Sequence, residues 1–280
     1  MQLIKQFAFP FIANCLSTSF LCRHSQQKTV HVFYHTVTND YLPHIHPLYT
    51  PKTVPNFIHD LNFLLKYFQP VGIHDVYLDA IGEKQIEKPS FHLSFDDGLR
   101  EVHDIVCPIL YQKGIPCTVF VNSNFVDNHN LFYRYKEVIF KSALNIDFHD
   151  FLKVQRPYLT IEELKNLQQK GFTIGAHSID HPDFRLLSET EQIKQIEQSC
   201  DYVQKTFNES RRYFAFPFSD EGISESVFKA IAGNIDLTFG ITGINTQHNG
   251  RHIARIDMEK YGKNARECVN KAYLKHIIRH

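Results

Sequence analysis

Seven short apolar runs, separated by helix-like segments, restrict this sequence to a parallel α/β architecture. The runs are Val30–His35, Phe91–Phe95, Cys117–Val121, Phe172–Ala176, Arg212–Phe216, Asp236–Gly240 and His252–Ile256. Between them, apolar residues recur at three- and four-residue spacing, as in Phe57, Leu61, Leu64, Leu65 and Phe68. Capping boxes at Thr160-Ile-Glu-Glu163 and Ser188-Glu-Thr-Glu191 start two further helices. Strands alternating with helices pair in parallel through βα units. We find no repeat and no interior linker, so the chain is expected to form one domain over residues 28–280, preceded by an apolar segment, 1–27. The expected fold class is α/β, a closed or nearly closed (β/α) barrel with about seven parallel strands. An open doubly wound sheet is the rival.

Composition removes several classes of function. Lys plus Arg and Asp plus Glu number 30 each, so no basic field for nucleic acid exists. No G-x-G-x-x-G or Walker sequence follows a strand, which speaks against a nucleotide cofactor. The six cysteines form no C-x-x-C pair and read as buried free thiols, which favours a reducing compartment. The segment 1–22 is apolar and its stretch Phe7–Leu21 has the length of a short signal h-region, yet it holds Pro10 and Asn14 and no clean cleavage site. A helix lying on a membrane surface or on the domain fits equally well. Cytoplasmic or membrane-associated placement is expected ahead of secretion.

The chemistry concentrates at strand ends. Phe91–Gly98 reads Phe-His-Leu-Ser-Phe-Asp-Asp-Gly, a strand finishing in two adjacent carboxylates. Strand side chains alternate between faces, so Asp96 and Asp97 share a pocket only if the chain turns there, and Gly98 permits that turn. The alternative is a plain helix cap.

The 17 histidines give four His-x-x-x-His pairs, where chance alone gives about one. His31 and His35 lie on one strand about 13 Å apart, too far to share a metal. His276/His280 falls at a frayed helix end, and His248/His252 borders the last strand. His177-Ser-Ile-Asp-His181 begins where a strand ends, and a helical turn would put both imidazoles on one side. With one carboxylate they make a three-ligand set that leaves a position open for water. Two surface histidines before Pro182 are the bland alternative.

Ser94-Phe-Asp-Asp-Gly98 and His177-Ser-Ile-Asp-His181 resemble the first two motifs of the NodB-type polysaccharide deacetylases, and Phe214-Ala-Phe-Pro-Phe-Ser219 resembles the third. The likeness spans roughly Val30 to Glu259. It implies a distorted (β/α) barrel, a divalent metal that is usually zinc, and removal of acetyl groups from N-acetyl or O-acetyl saccharides, here a surface polysaccharide or its precursor. Carried over by position, Asp96 is the general base, and Asp97, His177 and His181 hold the metal. The Phe218 backbone N–H, after Pro217, is the oxyanion donor.

Two departures stand out. Ala215 occupies the place of an arginine that orients the base, and the last strand lacks the expected Leu-x-x-His. His252 and His248 are candidates for the general acid by proximity. Arg255 is expected to face the substrate or to orient the base, with His35 and Pro217 as further substrate contacts. Trp is absent, which leaves Phe218, Phe239 or a tyrosine to stack on a sugar. The departures keep two other readings open: a saccharide-binding protein that has lost catalysis, and a hydrolase of a non-sugar C–N amide.

Overall fold

Strand pairing runs almost without a break around the computed structural model, which describes residues 13–279 apart from 14, 142–147, 242, 245 and 248–249. The strands are β1 (Thr29–Tyr34), β2 (Gln69–Pro70), β3 (Ser90–Phe95), β4 (Cys117–Val121), β5 (Thr173–Ala176), β6 (Tyr213–Ala215), β7 (Leu237–Gly240), β8 (Thr246–Gln247), β9 (His252–Ala254) and β10 (Ile256–Asp257). Their order is β10-β1-β3-β4-β5-β6-β7-β9-β8, with β2 beside β3. Every pairing from β10 to β9 is parallel; β8 returns antiparallel along β9.

The expected last strand is divided at Arg255. Its first half pairs with β7 and its second with β1, so one continuous run, His252–Asp257, bridges the two ends of the sheet. The result is a nearly closed barrel of eight parallel strands, counting that run as two. The sequence rhythm anticipates it within a residue or so at most strand ends.

Alternation along the strands sorts the side chains. Val30, Val32, Phe91, Leu93, Phe95, Val119, Val121, Phe214 and Phe216 face outward and form one apolar cluster with the surrounding helices. The inward set is mixed. His92 Nε2 lies 2.9 Å from Thr118 Oγ1, and the His31 ring packs 5.7 Å from that of His92. Above them the Arg255 guanidinium lies 4.3 Å from the Phe33 ring centroid and 5.3 Å from that of Phe120. Burial, helped by Arg255, pushes His31 down to about 3, so the ring is neutral beneath that cation. Gly175 is required in this interior, because a Cβ there would come within 2.5 Å of the Phe120 ring.

After Gly98 the chain enters a widened turn, Val102–Val106, and then the helix Cys107–Gln112. Pro108 has no N–H to give to Asp104, and Cys107 N–H donates instead to Val102 O, five residues back. An insertion after β4 forms a helix at Tyr133–Lys141, followed by one at Phe148–Gln155. Leu131, Phe132, Tyr135 and Phe151 from this insertion build a second apolar cluster with Leu42, Ile45, Leu99 and Tyr158. His44 is buried there between Tyr135 and Phe151.

The described part of the N-terminal segment includes the helix Thr18–Ser25. It docks on the C-terminal helix Ala265–Arg279: Thr18 Oγ1 donates to Asn270 Oδ1 at 2.9 Å, and Asn270 Nδ2 donates to Ala13 O at 3.0 Å. Residues 1–12 lie outside the described residues. Among the described residues, no helix is long and apolar enough to cross a membrane.

Candidate active site

The C-terminal ends of β3, β5 and β6 meet at a cavity of about 250 Å³. Asp96 leaves β3 pointing inward. Asp97 would point away, but its backbone sits at φ +70° and that of Gly98 at φ +65°, so the chain turns and both carboxylates line the cavity. A Cβ on Gly98 would lie 2.9 Å from Val121 Cγ1 as well as straining the backbone.

Asp96 is gripped from across the barrel. Arg255 Nη1 donates to its Oδ1 and Nη2 to its Oδ2, both at 2.7 Å, and Nη1 also donates to Ser94 Oγ at 3.1 Å. Burial by itself would raise the Asp96 pKa; the Arg255 charge outweighs it and holds the carboxyl below its ordinary value. Of the two roles read from sequence for Arg255, substrate contact is overturned: the residue is fully buried, with its guanidinium occupied by Asp96, Ser94 and Gly240 O. It also bears on the departure at Ala215: an arginine does hold Asp96, the candidate base, but it arrives from the last strand.

The second motif is wound tightly. Ser178 and His181 have φ of +72° and +56°. Ser178 Oγ accepts the His181 N–H at 3.0 Å, and Asn122 Nδ2 donates to Ser178 Oγ at 3.2 Å and to the His177 carbonyl. His177 Nδ1 lies 2.8 Å from Ala215 O, which fixes the proton on that nitrogen and leaves Nε2 as an acceptor. Nε2 nevertheless faces another acceptor, Asp97 Oδ1, at 3.4 Å, and His181 Nε2 faces the same oxygen at 3.3 Å. Asp97 Oδ1 is buried without a hydrogen-bond donor. Acceptors converging on one buried point fit a cation, and these three ligand atoms lie within 4.8 Å of one another. Burial opposes ionisation of Asp97, but the neighbouring His181 holds its pKa well below the ordinary range.

Phe218 follows Pro217 at φ +57°, a costly conformation for a residue with a Cβ. The turn is tight: Ser219 N–H donates to Pro217 O at 2.6 Å. It lays the Phe218 ring 4.6 Å from that of His181 and puts the Phe218 side chain on the cavity wall. Phe218 lines the cavity, whereas Pro217 shapes the turn before it.

His35, at the end of β1, also lines the cavity. Its Nδ1 pairs with Glu259 Oε2, and its backbone N–H donates to the same oxygen at 3.2 Å. Burial works against a charged ring, yet Glu259 overrides it and raises His35 to about 10.

His252 is placed elsewhere. In β9 it points outward from the barrel, with Nδ1 2.9 Å from Thr238 Oγ1 and Nε2 3.1 Å from Asp220 Oδ2, against the rings of Phe216 and Phe228. The expectation of a general acid there is corrected: strand alternation turns its ring away from the cavity. His248 lies outside the described residues. Sequence reasoning missed Glu259, three residues past the last expected strand, and the insertion side chains Phe132, Arg134 and Tyr135, which wall the cavity.

The structure resembles several solved proteins of low sequence identity. The deacetylase PplD of Streptococcus pyogenes is 19% identical with a TM-score of 0.63, covering 85% of this chain and 96% of that one. IcaB from Ammonifex degensii is 15% identical with a TM-score of 0.67, covering 88% and 97%. A de-N-acetylase from Aggregatibacter actinomycetemcomitans is 16% identical with a TM-score of 0.63, covering 84% and 96%. These likenesses carry the fold. No curated protein matches the sequence. The polysaccharide deacetylase family model matches residues 83–239, a stretch that begins before the carboxylate turn and runs past the third motif into β7. Since that match takes in more than half of the sequence, the chain belongs to the polysaccharide deacetylase family, hydrolases of non-peptide carbon–nitrogen bonds.

Proposed function

We propose that this chain is a metal-dependent deacetylase that hydrolyses an acetyl group, as amide or ester, on a saccharide. The observation that carries the reading is the convergence of His177 Nε2, His181 Nε2 and Asp97 Oδ1 beside a separately held carboxylate, Asp96. Two imidazoles and one carboxylate suit zinc, and other divalent ions share the preference. Bound there, the ion would polarise the acyl carbonyl and acidify water.

The remaining work falls to the chain's own residues. Asp96, kept ionised by Arg255, takes the proton of the attacking water. The Phe218 N–H donates to the oxygen that becomes negative as the carbonyl is attacked. His35, kept protonated by Glu259 and facing the same cavity, gives its proton to the leaving nitrogen or oxygen. The roll of Phe132, Tyr135 and Phe218 along the wall supplies aromatic faces for a sugar ring.

The test is a paired measurement on the purified chain: bound metal by elemental analysis, and acetate release from N- and O-acetylated oligosaccharides with and without chelator. One metal per chain with chelator-sensitive acetate is the expected result. No metal after reconstitution would overturn the ligand assignment.

A further inference from the structure

Charged side chains around the cavity are compensated, with one exception. Asp96 is held by Arg255, His35 by Glu259, and Lys260 Nζ lies 3.7 Å from Asp257 Oδ2. Asp97 faces its two histidines. Arg134 lines the same cavity, yet among the described residues no carboxylate oxygen comes within 4.0 Å of its guanidinium. Asp183 feels the Arg134 charge, but its own carboxylate is taken by Arg185, at 2.6 Å from Nη2 and 2.9 Å from Nε.

Arg134 is exposed and lies against rings instead of an acid. Its guanidinium carbon lies 4.6 Å from the Phe218 ring centroid and 5.8 Å from that of Tyr133, and Nε–H donates to Tyr133 Oη at 3.2 Å. Phe218 in turn packs on the candidate ligand His181. The cation, exposed to solvent, therefore stands one aromatic layer away from the reacting centre, with both terminal nitrogens free of any carboxylate among the described residues. A guanidinium so presented matches the paired oxygens of a carboxylate or phosphate.

We propose that Arg134 receives an anionic group of the substrate, a carboxylate or phosphate on the acetylated sugar or its neighbour, and that the site selects anionic saccharides. This deepens the deacetylase reading of the site and rests on it.

Binding and turnover are measured separately on the metal-loaded full chain with three probes. These are neutral tetra-N-acetylchitotetraose, a hyaluronan tetrasaccharide carrying carboxylates, and N-acetylglucosamine 1-phosphate. At least one anionic probe is expected to bind about tenfold more tightly than the neutral one, with an advantage that shrinks as salt rises. Arg134→Gln should erase that advantage, and Arg134→Lys should keep part of it. An advantage confined to one anionic probe names carboxylate or phosphate as the partner. Equal affinities for all three, or an advantage that survives Arg134→Gln, overturns the proposal. Anion-dependent binding without acetate from any probe would leave Arg134's role standing and overturn the deacetylase reading; acetate from all three with equal efficiency would do the reverse.

Discussion

Arg255 and Asp96 are joined by two parallel hydrogen bonds of 2.7 Å, although 159 residues separate them in the chain. The pair ties the candidate base to the run that closes the barrel. Arg255→Met would leave Asp96 buried without its counter-charge, which costs about 3–5 kcal/mol when one partner of a buried pair is removed. The Asp96 pKa is depressed in the native chain, so the pair stabilises above the unfolded-state carboxyl pKa and its contribution is lost as pH falls through the depressed value. Arg255→Met should therefore lower the melting temperature at neutral pH and move the acidic limb of activity upward. Denaturation and pH–rate profiles together check it; an unmoved acidic limb would detach Arg255 from the base.

Asp96→Asn preserves shape while removing the proton acceptor. It should retain stoichiometric metal and lose turnover by about 10²–10⁴-fold. Elemental analysis alongside acetate release decides between this and a ligand role, for which metal would be lost as well.

The histidines separate cleanly. His35→Ala is expected to lower kcat by about 10²-fold or more. His252→Ala, which removes a partner of Asp220 on the outer wall, should cost about 1–3 kcal/mol of stability and leave kcat within a few-fold. Parallel kinetics and thermal melts distinguish the two, and a collapse of kcat in His252→Ala would reverse the assignment.

Glu259 sets the proton on His35. The imidazole is raised from 6.5 to about 10, so this pairing stabilises the fold in full below the unfolded-state value and is lost as pH rises through about 10. If His35 is the acid, the alkaline limb of kcat should shift downward in Glu259→Gln by about one pH unit or more. A limb that stays in place would show that another group supplies the proton.

Asn122 acts at one remove, holding the His177 carbonyl and Ser178 Oγ. Asn122→Ala should weaken metal binding by about 10–100-fold through loss of ligand orientation. Titration against a competing chelator measures it, while an unchanged affinity would make Asn122 purely structural.

Local chemistry was readable from the residues, and long-range pairing was not. Asp96, Asp97, His177 and His181 sit in short motifs whose turns bring them together, so the residues offer them as candidates and the family resemblance supplies their roles. Arg255 shows the limit: its neighbours say only that it lies on a strand, and its inward direction depends on barrel register. The same register sends His252 outward, which is why nearness to the last motif misplaced the acid. His35 was listed among substrate contacts because the proton that Glu259 holds on it is invisible without the fold. Arg134 and Tyr135 belong to an insertion whose helical spacing announces a helix but says nothing of the cavity it covers.

The split of the last run at Arg255 has a consequence for synthesis. A ribosome makes the chain from its N-terminus, so the candidate metal ligands, the candidate base and the Phe218 turn all emerge before Arg255 does. A nascent or truncated chain ending before β9 would hold every one of those groups and still lack the arginine that aims the base. On the proposed mechanism, hydrolytic competence waits until the final strand has been delivered and seated between β7 and β1.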